Sequence, residues 1–175
     1  MLFEAITAID AGDTEKLTGM LKKSPDLVRK QVQTRVKPYD GYFGQAMLLH
    51  HVAGNPIREP LPDNIMEIVG ILLDAGSDIN AKTIGGPSQP TDVGWTVLGL
   101  VATSQVARES GIQQELINLL VANGATIDLD RGAAIAAALY YGENQAAHAL
   151  MKHRATVDLP LAAGLGRVDL VETFF

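Results

Sequence analysis

Apolar residues recur at three- and four-residue spacing in two stretches of the chain, Ile65, Ile68, Val69 and Leu72, then Leu116, Leu119 and Leu120. That period gathers them on one face, so both stretches predict amphipathic helices whose apolar stripe packs in a core. Both helices run into the same closing phrase, which then recurs a third time. Leu72 to Asn80 reads Leu-Leu-Asp-Ala-Gly-Ser-Asp-Ile-Asn, Leu120 to Asp128 reads Leu-Val-Ala-Asn-Gly-Ala-Thr-Ile-Asp, and Leu150 to Asp158 reads Leu-Met-Lys-His-Arg-Ala-Thr-Val-Asp. Each predicts a helix that stops at a left-handed residue, Gly76, Gly124 or Arg154, followed by a short extended stretch that turns the chain.

A second phrase precedes the first. Met47 to Ala53 reads Met-Leu-Leu-His-His-Val-Ala, Thr96 to Ala102 reads Thr-Val-Leu-Gly-Leu-Val-Ala, and Ala133 to Gly142 keeps the spacing with poorer identity. Ala8 to Asp13 with Leu17, Met20 and Leu21 reads as an earlier copy of the unit, and Ala162 to Val171 as a later one. In both phrases the sequence resembles the ankyrin repeat, whose first helix carries Thr-Pro-Leu-His followed by small residues; His50 alone keeps the family histidine. The resemblance covers nearly the whole chain. It implies an all-α fold, an ankyrin-type helical solenoid of paired antiparallel helices with inter-repeat hairpin loops. One domain would span 1–175, with repeats near 1–30, 44–81, 94–128 and 131–158, an incomplete fifth at 159–175, and long loops at 31–45 and 82–94.

Departures from the family period of about 33 residues locate the insertions. Gly76 and Gly124 lie 48 residues apart, and the excess falls in the loop before Thr96 and in the turn from Thr103 to Gly111. Ser24, the corresponding position of the first repeat, lies 52 residues before Gly76, with the excess shared between residues 30–45 and the turn from Gly54 to Asp63. Gly124 to Arg154 is only 30 residues, so the long loops belong to the N-terminal half. The resemblance implies that these loops and the first helices line a concave face, which would grip a partner around Tyr39 to Gly44 and Gly85 to Trp95. Tyr39, Tyr42, Phe43 and Trp95 are the aromatic candidates for that contact, because loop aromatics offer large contact area at low entropic cost. His51 and Asp92 complete the expected contact set. The competing reading of Phe43 and Trp95 is that each plugs the base of its loop, since large aromatics are mostly buried.

Charge narrows the partner. With 14 basic and 20 acidic residues the net charge is −6, which gives no electrostatic footprint for nucleic acid or anionic lipid. No apolar stretch reaches the roughly 18 to 20 residues of a membrane helix, and the N-terminus lacks the layout of a secretory signal. The chain has no cysteine, which excludes disulfides and thiolate metal sites and fits a cytoplasmic setting.

No catalytic or metal constellation stands out. His50 with His51, and His148 with His153, lack the i, i+4 spacing with an adjacent carboxylate that marks a helical zinc site. His50 is expected to make the intra-repeat hydrogen bond that the resemblance implies. Gly85-Gly86-Pro87 and Gly164-Leu165-Gly166 do not complete a phosphate-cradling pattern. Asp13 and Asp169 stand where second helices begin and are expected to be helix N-terminal charges or caps.

The expected function is therefore that of a protein-protein interaction module, binding an unidentified protein partner without cofactor or turnover. Two alternatives stay open: an enzyme or small-ligand binder whose inserted loops close over a pocket near His50, His51, Asp92 and Tyr42, and a structural spacer within a larger protein. Val171 to Phe175 ends inside the fifth repeat, so further repeats or domains beyond Phe175 are expected.

Overall fold

The computed structural model describes residues 1–31, 42–57, 59–85, 94–129 and 133–175, and these are helical. In chain order come α1 (Leu2–Asp10), α2 (Thr14–Lys23), a 3₁₀ helix (Pro25–Arg29), a second 3₁₀ helix (Leu48–Ala53), α3 (Ile65–Asp74), α4 (Val97–Ala102) and α5 (Gln105–Glu109). Then follow α6 (Gln113–Ala122), α7 (Ala133–Tyr140), α8 (Asn144–Lys152), α9 (Leu159–Gly164), α10 (Val168–Val171) and a last 3₁₀ turn (Glu172–Phe174).

Two rows of helices result. Along one row α1 packs on the 3₁₀ helix Leu48–Ala53, which packs on α4, α4 on α7 and α7 on α9. Behind it α2 packs on α3 and α6 on α8, while each front element also packs on the rear helix of its own unit. The apolar stripes meet between the rows: Ile65, Ile68 and Leu72 of α3 and Leu116, Ile117 and Leu120 of α6 are fully buried. Leu119, expected in the stripe, is only partly buried at its edge. Two of the front helices are covered on every side. All six residues of α4 are buried, and so are all six of Leu48–Ala53.

The recurring closing phrase folds three times in the same way. The N–H groups of Ser77, Ala125 and Ala155 donate to the carbonyls of Leu72, Leu120 and Leu150 at 3.0 to 3.1 Å, which absorbs helix-end carbonyls that would otherwise lack partners. This turn needs a positive φ, found at Gly76 (+90°), Gly124 (+94°) and Arg154 (+67°). Ser24 departs from the expectation: its φ is −142° and the chain continues into the 3₁₀ helix Pro25–Arg29. A residue before proline is pushed to extended backbone, so Ser24 cannot take the turn that glycine takes in the other units.

The phrase also ties units together through its last residue. Asn80 accepts from the Thr126 N–H (2.8 Å) and donates to the Gly124 carbonyl (3.1 Å), while Asp128 accepts from the N–H and hydroxyl of Thr156 (2.8 and 2.6 Å). Thr126 and Thr156 hold the same place in their phrases, so the same clamp is used twice. Asp158 instead caps α9, accepting from the Leu161 N–H at 2.9 Å. Asp13 likewise caps α2 through the Lys16 N–H (2.9 Å). Asp169 is no cap; it lies in the first turn of α10 and pairs with Arg167.

The inserted turn between Thr103 and Gly111 is not an open loop but contains α5. Ser104 caps it, accepting from the Ala107 N–H (3.0 Å) while donating its own proton to the Ala53 carbonyl (2.6 Å). Gln113, at the start of α6, donates to the Val101 carbonyl (3.2 Å), and Arg108 reaches Glu143 (2.7 Å) just ahead of α8. The insertion is thus sewn into the rear of the molecule.

Candidate functional site

The loops ahead of the front helices are held at their bases. Gln45 and Ile84 form an antiparallel bridge, with the Ile84 N–H donating to Gln45 (2.8 Å) and the Gln45 N–H to Ile84 (3.1 Å). Thr83 then pairs with Trp95: the Thr83 N–H donates to the Trp95 carbonyl, and the Trp95 N–H donates to the Thr83 hydroxyl, both at 3.0 Å. Gly94 permits this approach, because a Cβ at that position would overlap the Thr83 carbonyl oxygen.

Anchored there, the Trp95 ring lies along α4 over Gly99, where an added Cβ would sit 3.4 Å from the ring. The ring forms one wall of a concavity of about 220 Å³ lined by Tyr42, Asn55, Trp95, Leu100, Thr103 and Tyr141. Tyr42 comes from the preceding loop. Asn55, Thr103 and Tyr141 follow the C-terminal ends of three successive front elements, so one stacking register brings them together.

Among the described residues none that lines it carries a formal charge. The Asn55 amide donates to the Leu100 carbonyl (3.2 Å), and the Thr103 hydroxyl donates to the carbonyls of Gly99 and Leu100 (3.1 and 3.3 Å). With its single proton committed to the helix, Thr103 can only accept from a visitor. The indole Nε1 is shielded within the fold, so its N–H is not offered at the surface. Tyr141 stands at the rim, 51% exposed and edge-on to Tyr140 at 5.1 Å.

Of the residues expected to meet a partner, Tyr42 and Trp95 thus share one surface. Phe43 and His51 do not belong to it. They are 5% and 1% exposed and pack edge to face, centroids 6.1 Å apart. Phe43 plugs the base of its loop, in line with the competing reading, and His51 is enclosed because every residue of its 3₁₀ helix is buried. Tyr39 and Asp92 lie outside the described residues. Asn55, Leu100, Thr103 and Tyr141 are not among the candidates that the sequence singles out. Aligning the ends of the front helices, instead of scanning loops for aromatics, would place Asn55, Thr103 and Tyr141 in one column.

His50 is structural. Its Nδ1 accepts from the Met47 N–H and its Nε2 lies against the Ala81 carbonyl, both at 3.0 Å. A carbonyl only accepts, so Nε2 carries the proton and the ring is neutral. Burial holds its pKa below the ordinary value of roughly 6.5. Among the described residues no group of three or more His, Cys, Asp or Glu is placed to hold a metal ion, and no helix is long and apolar enough to cross a membrane.

No known family model matches the chain, and no curated protein matches it in sequence.

Proposed function

We propose that the chain is an ankyrin-type solenoid acting as a protein-protein interaction module, and that the partner is taken at the concavity between Tyr42, Trp95 and Tyr141. The two-row packing, the turn repeated at Gly76, Gly124 and Arg154, and the Asn80 and Asp128 clamps support the solenoid. The observation that carries the functional reading is that residues from three successive units, Tyr42 and Asn55, Trp95 and Thr103, and Tyr141, line one surface. A surface that exists only when units stack is the kind of site repeat architectures offer to partners. Its volume of about 220 Å³ falls below the roughly 300 to 1,000 Å³ of small-molecule pockets, which favours an anchoring side chain of a larger partner over an enclosed ligand.

The test compares wild type with a Tyr42→Ala/Trp95→Ala double variant in affinity capture from native lysate, with circular dichroism confirming equal helicity. A protein retained by the first, lost by the second, and bound again by the wild type after purification supports the module. Equal retention by both removes this surface from the interaction.

A further inference from the structure

We infer that the concavity is an arginine-reading site: it accepts the guanidinium group of a basic segment of the partner, stacked among Tyr42, Trp95 and Tyr141. This rests on the interaction-module reading above and adds the chemistry of the anchor. Three observations point the same way. Three aromatic residues line the concavity, and the face of an aromatic ring attracts a cation and stacks with a planar guanidinium. The lining offers an acceptor. One Asn55 amide N–H and the Thr103 hydroxyl donate to main-chain carbonyls and the Trp95 Nε1–H is shielded, while Thr103 keeps lone pairs for a visitor. An ammonium or guanidinium can donate to that acceptor. Finally, among the described residues none that lines the concavity is basic, and the chain carries net charge −6, so the approach of a cationic segment is favoured at long range. Between the two cations, the planar fork of arginine suits a slot walled by rings better than the strongly hydrated ammonium of lysine.

Trp95 is the only tryptophan in the chain, so its emission reports this site alone. The experiment titrates the full chain with the peptide acetyl-Gly-Gly-Arg-Gly-Gly-amide and with two counterparts carrying citrulline or leucine in place of arginine. Citrulline keeps the shape of the side chain and replaces the cation with an uncharged urea. The expected result is a saturable change in Trp95 emission with the arginine peptide, tighter than either counterpart by roughly fivefold or more. It should weaken with added salt and in Thr103→Val and Tyr141→Leu, variants at half-buried and rim positions whose helicity circular dichroism checks. An equal response to citrulline or leucine, or no saturable response to arginine, overturns the inference.

Panning random displayed peptides against wild type and Trp95→Ala separates this failure from that of the module. Trp95-dependent peptides rich in arginine support the inference. Trp95-dependent peptides without arginine overturn it and leave the module standing. If no Trp95-dependent peptide is enriched, both fall.

Discussion

Thr83 and Trp95 exchange two hydrogen bonds, N–H to carbonyl and N–H to hydroxyl, each 3.0 Å long, across the two ends of the segment that separates them. The Thr83 hydroxyl donates its own proton to the Gly85 carbonyl (2.8 Å), so one buried side chain holds two main-chain groups. The Trp95 side of the candidate site hangs from this anchor.

Thr83→Val keeps the shape and removes the hydroxyl, leaving the Trp95 N–H without its acceptor. The expected cost is about 1 to 3 kcal/mol in urea unfolding, with a red shift of Trp95 emission as the ring loosens. Gly94→Ala should act on the same anchor from the other side, since its Cβ meets the Thr83 carbonyl. Unchanged emission in both variants would detach the site from the loop base.

His50 should make stability fall with acid. Its folded pKa is lowered by burial, with Asp78 and the two hydrogen bonds opposing only in part, so the unfolded chain binds the proton first. The contribution is fully present above the unfolded pKa of roughly 6.5 and is lost progressively as pH falls toward the folded value, at no more than about 1.4 kcal/mol per pH unit. His50→Gln should be less stable than wild type at pH 7.5, and the gap should narrow toward pH 5.5. Unfolding curves in urea at several pH values measure it, and a constant gap would show that folding leaves the His50 pKa unshifted.

The hydrogen bonding of His50 is anticipated by the resemblance its phrase carries, whereas the left-handed turns at Gly76 and Gly124 are legible in a closing phrase that recurs. The helices are legible for the same reason: Ile65, Ile68 and Leu72 carry their period openly. Ser24 misleads because the following Pro25 outweighs its place in the repeat. Phe43 and His51 mislead because loop membership and helix periodicity suggest exposure, while the 3₁₀ helix Leu48–Ala53 is covered on all sides. Tyr141 escapes a reading of the sequence because its importance comes from stacking register, which no local window contains. The helix inside the Thr103 to Gly111 insertion escapes it because five residues are too few to display a period.

The polar seam behind that insertion makes a further prediction. Glu143 has a side chain only 4% exposed and is paired with the 42%-exposed Arg108. Arg108→Met strips the buried carboxylate of its cation and should destabilise by about 2 kcal/mol or more, within the range for breaking such pairs and reduced by the exposure of Arg108. Adding Glu143→Gln should recover much of the loss, since the neutral amide keeps the contact with Gln113 without a buried charge. A double variant no more stable than Arg108→Met in thermal and urea unfolding would show that the carboxylate is not what suffers.

Arg154 offers the clearest route to a more stable chain. It occupies the turn position that Gly76 and Gly124 fill elsewhere, at φ +67°, and is the only non-glycine residue with positive φ among the described residues. Its Cβ faces the following carbonyl, a clash worth roughly 1 to 2 kcal/mol for an L-residue. The hydrogen bonds around it, Arg154 N–H to Met151 and Ala155 N–H to Leu150, are main-chain bonds that glycine would keep (2.9 and 3.1 Å). Glycine returns part of the gain through the greater freedom of the unfolded chain, so Arg154→Gly should stabilise by about 0.5 to 1 kcal/mol. The mirror experiment is Gly124→Ala, where nothing lies within 4 Å of the added Cβ and only the backbone angle resists; it should destabilise by about 1 kcal/mol. If Arg154→Gly lowers the urea midpoint while Gly124→Ala leaves it unchanged, the two positions do not share a turn, and the equivalence of the units they close would fail with them.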